Sequence, residues 1–250
     1  MQFDVKEKEM LDILTAANSI ITVKDLAARL FISEPTARRR LAALADKNLV
    51  IRTHGGALIN YNVAQNKSVP LYLRIENMVE GKNAIAQQAQ AVIKDGYVIF
   101  LDASSSAFHL LPYLKSFSDL TVCTNGLKAA VTLAEMGIKT VCLGGEVTAA
   151  NLACTSYETV ETLKNFNADV FFFSCDALSD DGLLTDNNKE ASYIRLQMMQ
   201  RSKTKVLLVD NTKLGKKCWH TLCALSDVDY CFCDRPLPNE LISMLKNSDK

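Results

Sequence analysis

Apolar residues recur at Val23, Leu26, Ala27 and Leu30, an i, i+3, i+4, i+7 spacing, and again at Ala37, Leu41 and Leu44 after a short break. That period lines one face of each segment and predicts two amphipathic helices joined by a tight turn. Ser33 is a good N-cap, and Pro35 falls in the first turn, where its missing N–H breaks no helical bond. The second helix is therefore expected to start at about Ser33, with Phe31 and Ile32 supplying apolar contacts in the turn. An earlier helix over about Val5–Ala17, with Met10, Ile13, Leu14 and Ala17 inward, completes a helical core. The runs Leu49-Val50-Ile51 and Ala57-Leu58 flank the basic, glycine-bearing turn Arg52-Thr53-His54-Gly55-Gly56, which predicts a β-hairpin beside the second helix.

From residue 59 to Pro70 the chain is polar and without period, so 61–70 is read as a linker between a domain at 1–60 and another at 71–250. A helix is expected over Leu71–Lys94, with Ile85, Ala89, Val92 and Ile93 as its apolar side. The texture then changes to short, continuous apolar runs: Tyr97–Leu101, Leu120–Thr124, Lys139–Leu143, Val170–Ser174, Lys205–Val209 and Tyr230–Cys233. Helical segments separate them, one running from the Ala103-Ser104-Ser105-Ser106 loop through about Phe117, others at about Tyr157–Asn165 and Lys189–Ser202. Fully apolar strands alternating with helices predict an α/β domain with a mainly parallel sheet covered on both faces.

The inward set Ala37, Leu41 and Leu44 turns Thr36 and at least two of Arg38, Arg39 and Arg40 to solvent near the start of the second helix. A helix-turn-helix presents those positions to a DNA major groove. Arg52, His54 and Gly55 on the hairpin tip are placed to reach phosphate. In the α/β domain, ligands are expected beyond the carboxyl ends of the strands. There the chain offers Asp102 with Ser104, Ser105 and Ser106, then Thr124 and Asn125, then Gly144 and Gly145, and then Lys213 after Asp210. Small polar residues follow strands in most α/β proteins because they cap helices. Four such loops at one edge favour an anion or sugar pocket, and Asp176, Asp186 and Glu190 add carboxylates suited to hydroxyls.

Composition sharpens this picture only in part. Net charge is zero, but residues 1–60 hold nine Lys/Arg against seven Asp/Glu, so DNA affinity has to come from local placement of Arg38, Arg39, Arg40 and Arg52. No apolar run approaches the ~20 residues that cross a bilayer, and MQFDVKEKEM is not a secretory signal, so a cytoplasmic protein without membrane contact is expected. Of the eight cysteines, Cys123, Cys142, Cys175, Cys231 and Cys233 fall in or beside apolar strands and read as buried thiols. With no Cys-x2-Cys pair and only His54, His109 and His220, no metal and no cofactor is expected.

Val23, Leu26, Ala27, Leu30, Ser33, Thr36, Arg38, Arg39, Leu41, Leu44, Arg52, His54, Gly55 and Gly56 together form a pattern that resembles the N-terminal domain of DeoR-type bacterial transcriptional regulators. Ala37 stands where that family usually has a large aliphatic residue, and Arg40 where it has aspartate. The resemblance continues through Lys82 with Ile85-Ala86, Asp102–Ser106, Thr124–Gly126, Leu143–Gly145, Asn167–Asp169, Gly182–Asp186, Glu190 and Asp210–Lys213. It implies a winged helix-turn-helix followed by a sensor domain that shares a fold with ribose-5-phosphate isomerase. It also implies phosphosugar contact at Ser104, Ser105, Ser106, Thr124, Asn125, Gly144, Gly145 and Lys213, with hydroxyls held by Asp102, Asp186 and Glu190. Where members often have a glycine some ten residues after Gly145, this chain has Cys154-Thr155-Ser156. The expected protein is a repressor of sugar or related carbon metabolism genes that binds a double-stranded operator as a homodimer or homotetramer under phosphosugar control. The alternative is a sugar-phosphate isomerase with an appended DNA-binding domain. It lacks the isomerase's glycine-rich loop, since Thr185-Asp186-Asn187-Asn188-Lys189-Glu190 follows Gly182-Leu183-Leu184.

Overall fold

Period and caps set the first elements of the computed structural model, which describes residues 5–17, 20–46, 49–59 and 70–246. Helix α1 covers Val5–Ala17, β1 Ile21–Thr22, α2 Val23–Arg29, α3 Glu34–Asp46, β2 Val50–Thr53 and β3 Gly56–Ile59. Met10 and Leu14 of α1, Leu26 of α2, and Ala37, Leu41 and Leu44 of α3 are all buried, so the apolar stripes meet in one core. Thr22 caps α2 by accepting from Asp25 N at 3.1 Å. Ser33 caps α3 by accepting from Thr36 N at 3.3 Å. The three strands form an antiparallel sheet in the order β1-β3-β2.

The turn between α2 and α3 departs from expectation. Ile32 is half-buried, but Phe31 is 94% exposed and adopts φ 52°, so it packs on nothing in the turn. A bulky residue in the left-handed region costs roughly 1 kcal/mol, whereas asparagine tolerates it well. Phe31→Asn is expected to raise stability by up to about 1 kcal/mol, read as a higher melting temperature of this unit. No rise would mean that the left-handed backbone carries no cost here.

The chain divides by its contacts into one unit of Met1–Ser68 and another of Val69–Lys250. Apart from Pro70, the expected linker lies outside the described residues. The second unit begins with α4, Leu71–Glu76, and α5, Val79–Ala89, followed by a short 3-10 turn. The single helix expected over 71–94 is therefore broken, because Asn77 is extended and Met78 is left-handed at φ 54°. The chain continues through β4 Val98–Leu101, α6 Ser105–Phe108, α7 Leu111–Leu114, β5 Thr121–Thr124, α8 Leu127–Glu135, β6 Lys139–Cys142, β7 Val147–Thr148 and β8 Ala153–Cys154. Next come α9 Tyr157–Leu163, β9 Ala168–Phe173, β10 Ala177–Leu178, β11 Leu183–Asp186, α10 Lys189–Gln200, β12 Ser202–Val209, β13 His220–Ala224, β14 Tyr230–Cys233 and α11 Asn239–Ser243. Pro112 in the first turn of α7 has no N–H to continue a helix from α6, so the expected helix to Phe117 is two short ones.

Six parallel strands form the main sheet in the order β14-β12-β9-β4-β5-β6. Successive side chains alternate between two cores. Phe100, Phe171, Phe173, Leu207 and Val209 face one side, with Leu163, Ile194 and Met198. Ile99, Leu101, Val170, Phe172, Val206 and Leu208 face the other, with Ile85, Leu111 and Leu133. Both faces are thus covered, which is why these strands read as unbroken apolar runs. A small antiparallel sheet, β10-β11-β13, and the hairpin β7–β8 add to this frame. Cys142 is exposed rather than buried and Cys231 is half-buried, because β6 and β14 are the two edge strands.

Candidate DNA-binding face and sensor site

In the N-terminal unit, the buried stripe of α3 leaves Ser33, Pro35, Arg38 and Arg39 exposed, with Thr36 and Arg40 half-buried. The Ser33 and Thr36 hydroxyls lie 2.9 Å apart at the helix start. Arg38 pairs with Glu34 at 3.3 Å, both side chains being about half exposed. Such a pair is weak in water and leaves the guanidinium able to exchange it for phosphate. Arg52 on β2 and His54 and Gly55 in the turn are exposed too, and Gly55 takes φ 94°. The Gly55 carbonyl accepts from Val23 N at 2.9 Å, tying the hairpin tip to the start of α2. A basic helix start beside a basic hairpin is an electrostatic footprint for duplex DNA.

In the second unit, the loops after β4, β5, β6, β9 and β12 meet at the carboxyl edge of the sheet. Asp102, just past β4, accepts from Ser104 N at 3.0 Å and Ser174 N at 3.3 Å. Ser104 caps α6 by accepting from Ala107 N at 3.1 Å. Thr124 Oγ1 accepts from Gly126 N at 3.0 Å. Asn125 Nδ2 donates to Cys154 O at 3.0 Å, and Cys154 N donates to Asn125 O at 2.8 Å, so β8 is fastened to this edge. Gly145 has φ 125°, and a Cβ there would lie 2.4 Å from Ser156 Oγ and 2.6 Å from Thr159 Oγ1. The Cys154-Thr155-Ser156 segment is thus packed directly against Gly145. Lys213 Nζ donates to Ser174 Oγ at 2.9 Å and sits 4.0 Å from Asp210.

Arg195 of α10 organises the centre. Its Nε donates to Asp102 at 2.8 Å and its Nη1 to Asp186 at 2.7 Å. Burial would lower its pKa, but Asp186 and Asp102 together raise it above the ordinary arginine value. Asp186 also accepts from Asp176 N at 2.9 Å and Ser192 Oγ at 2.8 Å. Read from sequence as holders of sugar hydroxyls, both carboxylates are engaged by this guanidinium. Glu190 is exposed on the first turn of α10, 4.0 Å from Lys189, and does not join the group. Among the described residues of this second unit, Ser106 Oγ and Asn125 Oδ1 are buried without a hydrogen-bond partner. Unsatisfied buried polar atoms are costly, and these two lie on α6 and on the loop after β5, at the same edge of the sheet.

Sequence reading did not include Arg195 or Arg74. Burial lowers the Arg74 pKa, and Asp176, Arg195, Asp102 and Asp186 act on its charge. Lys82 is held to about 8, chiefly by burial, with Asp210 opposing that effect. The available signal was the excess of carboxylates: Asp102, Asp176 and Asp186 converging on one edge need a cation among them.

Residues 7–63 match the family described as the DeoR-like helix-turn-helix domain, and residues 77–235 match the DeoR C-terminal sensor domain. The chain belongs to the DeoR family. Relatives include the HTH-type transcriptional regulator GolR of Listeria innocua, 30% identical over 92% of this chain and 91% of that protein. The HTH-type transcriptional repressor GlcR of Bacillus subtilis is 30% identical over 92% of this chain and 88% of its own length. The glycerol-3-phosphate regulon repressor of Escherichia coli is 24% identical over 93% of this chain and 91% of its own. A solved ribose-5-phosphate isomerase in complex with phospho-erythronic acid aligns over 55% of each chain, with 21% identity and a TM-score of 0.43. As a DeoR-family protein the chain is a DNA-binding transcriptional regulator. Among the described residues, no helix is long and apolar enough to cross a membrane.

Proposed function

We propose that this DeoR-family regulator represses genes of sugar or related carbon metabolism and that a phosphorylated sugar bound at the sheet edge sets its DNA affinity. The carrying observation is the pair of unsatisfied buried atoms, Ser106 Oγ and Asn125 Oδ1, on the edge that also holds Lys213 and Arg74. Two relatives support the repressor reading by name, and one of them is named for glycerol-3-phosphate. The ammonium of Lys213 supplies charge to phosphate, and the Gly144 backbone, with no atom within 4 Å of its Cβ direction, allows close approach. DNA is read by α3 and the hairpin, with Arg38, Arg39, Arg40 and Arg52 supplying charge. Half-sites about one helical turn apart require two such units, so the functional species is a homodimer or homotetramer.

The site binds without turnover. Isomerisation needs a carboxylate free to take a proton from the substrate. Asp102 and Asp186 are instead engaged by Arg195, and Asp176 accepts from Asn187 N at 2.8 Å. Purified protein is expected to leave pentose phosphates unchanged.

The reading is tested by titrating fluorescent promoter DNA, and separately glucose 6-phosphate, fructose 6-phosphate, ribose 5-phosphate and glycerol 3-phosphate, into the full chain. Arg38→Ala is expected to weaken DNA binding by about 1–3 kcal/mol while leaving ligand affinity intact. Lys213→Ala is expected to do the reverse. At 100 times its dissociation constant, a true effector adds about 2.7 kcal/mol of stability. If none of these phosphates binds, the sensor assignment fails while the DNA-binding assignment stands.

A further inference from the structure

α4 is the first described element after residue 69, and so the element of the sensor unit that lies nearest in the chain to the helix-turn-helix unit. Of its six residues only Leu71 is fully buried. Extended Asn77 and left-handed Met78 separate it from α5, which makes α4 a body of its own rather than the first turns of a longer helix. Across that joint the Lys82 ammonium donates to Arg74 O and Asn77 O, capping the carbonyl end of α4. His109 Nε2 lies 2.9 Å from Ile75 O and adds a second hold.

At its other end α4 is fastened to the turn between β7 and β8. Leu71 N donates to Ala150 O at 2.9 Å. Arg74 Nη2 donates to Asn151 Oδ1 at 2.7 Å. That same hairpin is bonded to the sensor edge through Cys154 and Asn125, whose Oδ1 has no partner. Arg74 itself lies in the field of Asp176, Arg195, Asp102 and Asp186. α4 therefore meets the sensor site through the hairpin, with the Arg74 guanidinium within electrostatic reach of the site's charges.

We propose that α4 transmits occupancy of the sensor site to the DNA-binding unit, with Arg74 and Asn151 as the positioning pair that couples them. The inference rests on the sensor reading above. A ligand that engages Asn125 and draws the Arg74 guanidinium changes the Arg74 to Asn151 bond and the seat of the β7–β8 turn. Either change shifts the tilt of α4 on its Asn77-Met78 joint. Ligand and DNA then favour different positions of α4, and that differential affinity is what coupling between sites requires.

The test measures two affinities on the full chain, for promoter DNA by anisotropy and for the four sugar and glycerol phosphates by calorimetry. Asn151→Ala removes one acceptor of Arg74, the one on the hairpin, and Met78→Gly loosens the joint without touching the hairpin. Wild type is expected to show a DNA affinity that changes roughly 5- to 150-fold, in either direction, with a bound phosphate. Asn151→Ala is expected to bind the same phosphate within about threefold of wild type, yet to keep less than about a twofold change in DNA affinity. Met78→Gly is expected to behave alike and decides the matter if Asn151→Ala fails to fold. A full DNA response in the folded variants would place the coupling elsewhere and leave the sensor reading intact. Loss of phosphate binding by Asn151→Ala would make it a ligand contact and overturn its coupling role. Absence of phosphate binding by wild type would remove the sensor reading and this inference together.

Discussion

Arg195→Ala is expected to destabilise the sensor unit by about 3–5 kcal/mol, because it leaves two buried carboxylates without their cation. Asp102 and Asp186 are almost fully buried, and each lies under 3 Å from a different nitrogen of one guanidinium. Their remaining partners are peptide N–H groups and the Ser192 hydroxyl, none of which carries charge. Arg195→Lys is a telling companion. A lysine keeps the charge but has a single ammonium where the guanidinium spans both carboxylates, so it should recover only part of the loss. Denaturant unfolding of the sensor transition measures both. A loss below about 1 kcal/mol for the alanine variant would show that water reaches the two carboxylates and that the site is not a dry, charge-balanced one.

The residue that matters most to the sensor site was thus hidden in the sequence, for a physical reason. Arg195 lies on α10 among Ile194, Leu196 and Met198, where a lone arginine reads as a solvated position on an amphipathic helix. Only the three-dimensional convergence of Asp102, Asp176 and Asp186 reveals that it turns inward. By contrast, the helix-turn-helix was legible because its signals are local: the stripe of Ala37, Leu41 and Leu44, the cap at Ser33 and the proline at Pro35 all lie within a few turns. The parallel strands were legible because burial on both faces removes polar residues from the run, as in Val170–Phe173. What failed were features decided by tertiary context. Phe31 adopts a left-handed turn that its side chain does not favour, and Met78 does the same between α4 and α5. Neither is a glycine or asparagine, so no residue type announced the turn. The strands β7, β8 and β10 have two residues each, too short for any period to show.

Gly56→Ala is expected to disable the DNA-binding unit while leaving the sensor unit folded. Gly56 pairs with Thr22 across β1 and with Thr53 across β2, so its backbone is fixed from both sides. A Cβ at this position would lie 2.4 Å from Ile21 O and 3.1 Å from Ile21 C. Those atoms are main chain in a paired strand, and no rotamer change relieves the overlap. Separating β1 from β3 is the remaining response, at a cost of about 1–3 kcal/mol. A unit this small has little stability in reserve, and the hairpin that carries Arg52 and His54 is the part displaced. Gly55→Ala separates steric overlap from backbone strain. Gly55 has φ 94° but no atom within 4 Å of its Cβ direction. That variant should therefore lose only the conformational term, of order 1 kcal/mol or somewhat more. Promoter-DNA titrations and two-transition thermal melts of both variants read the difference. The expected result is a larger loss of DNA affinity and an earlier first transition for Gly56→Ala, with the sensor transition unmoved in both. Wild-type DNA binding by Gly56→Ala would mean that β1 can leave β3 freely, and that the hairpin does not need that strand to present its basic tip.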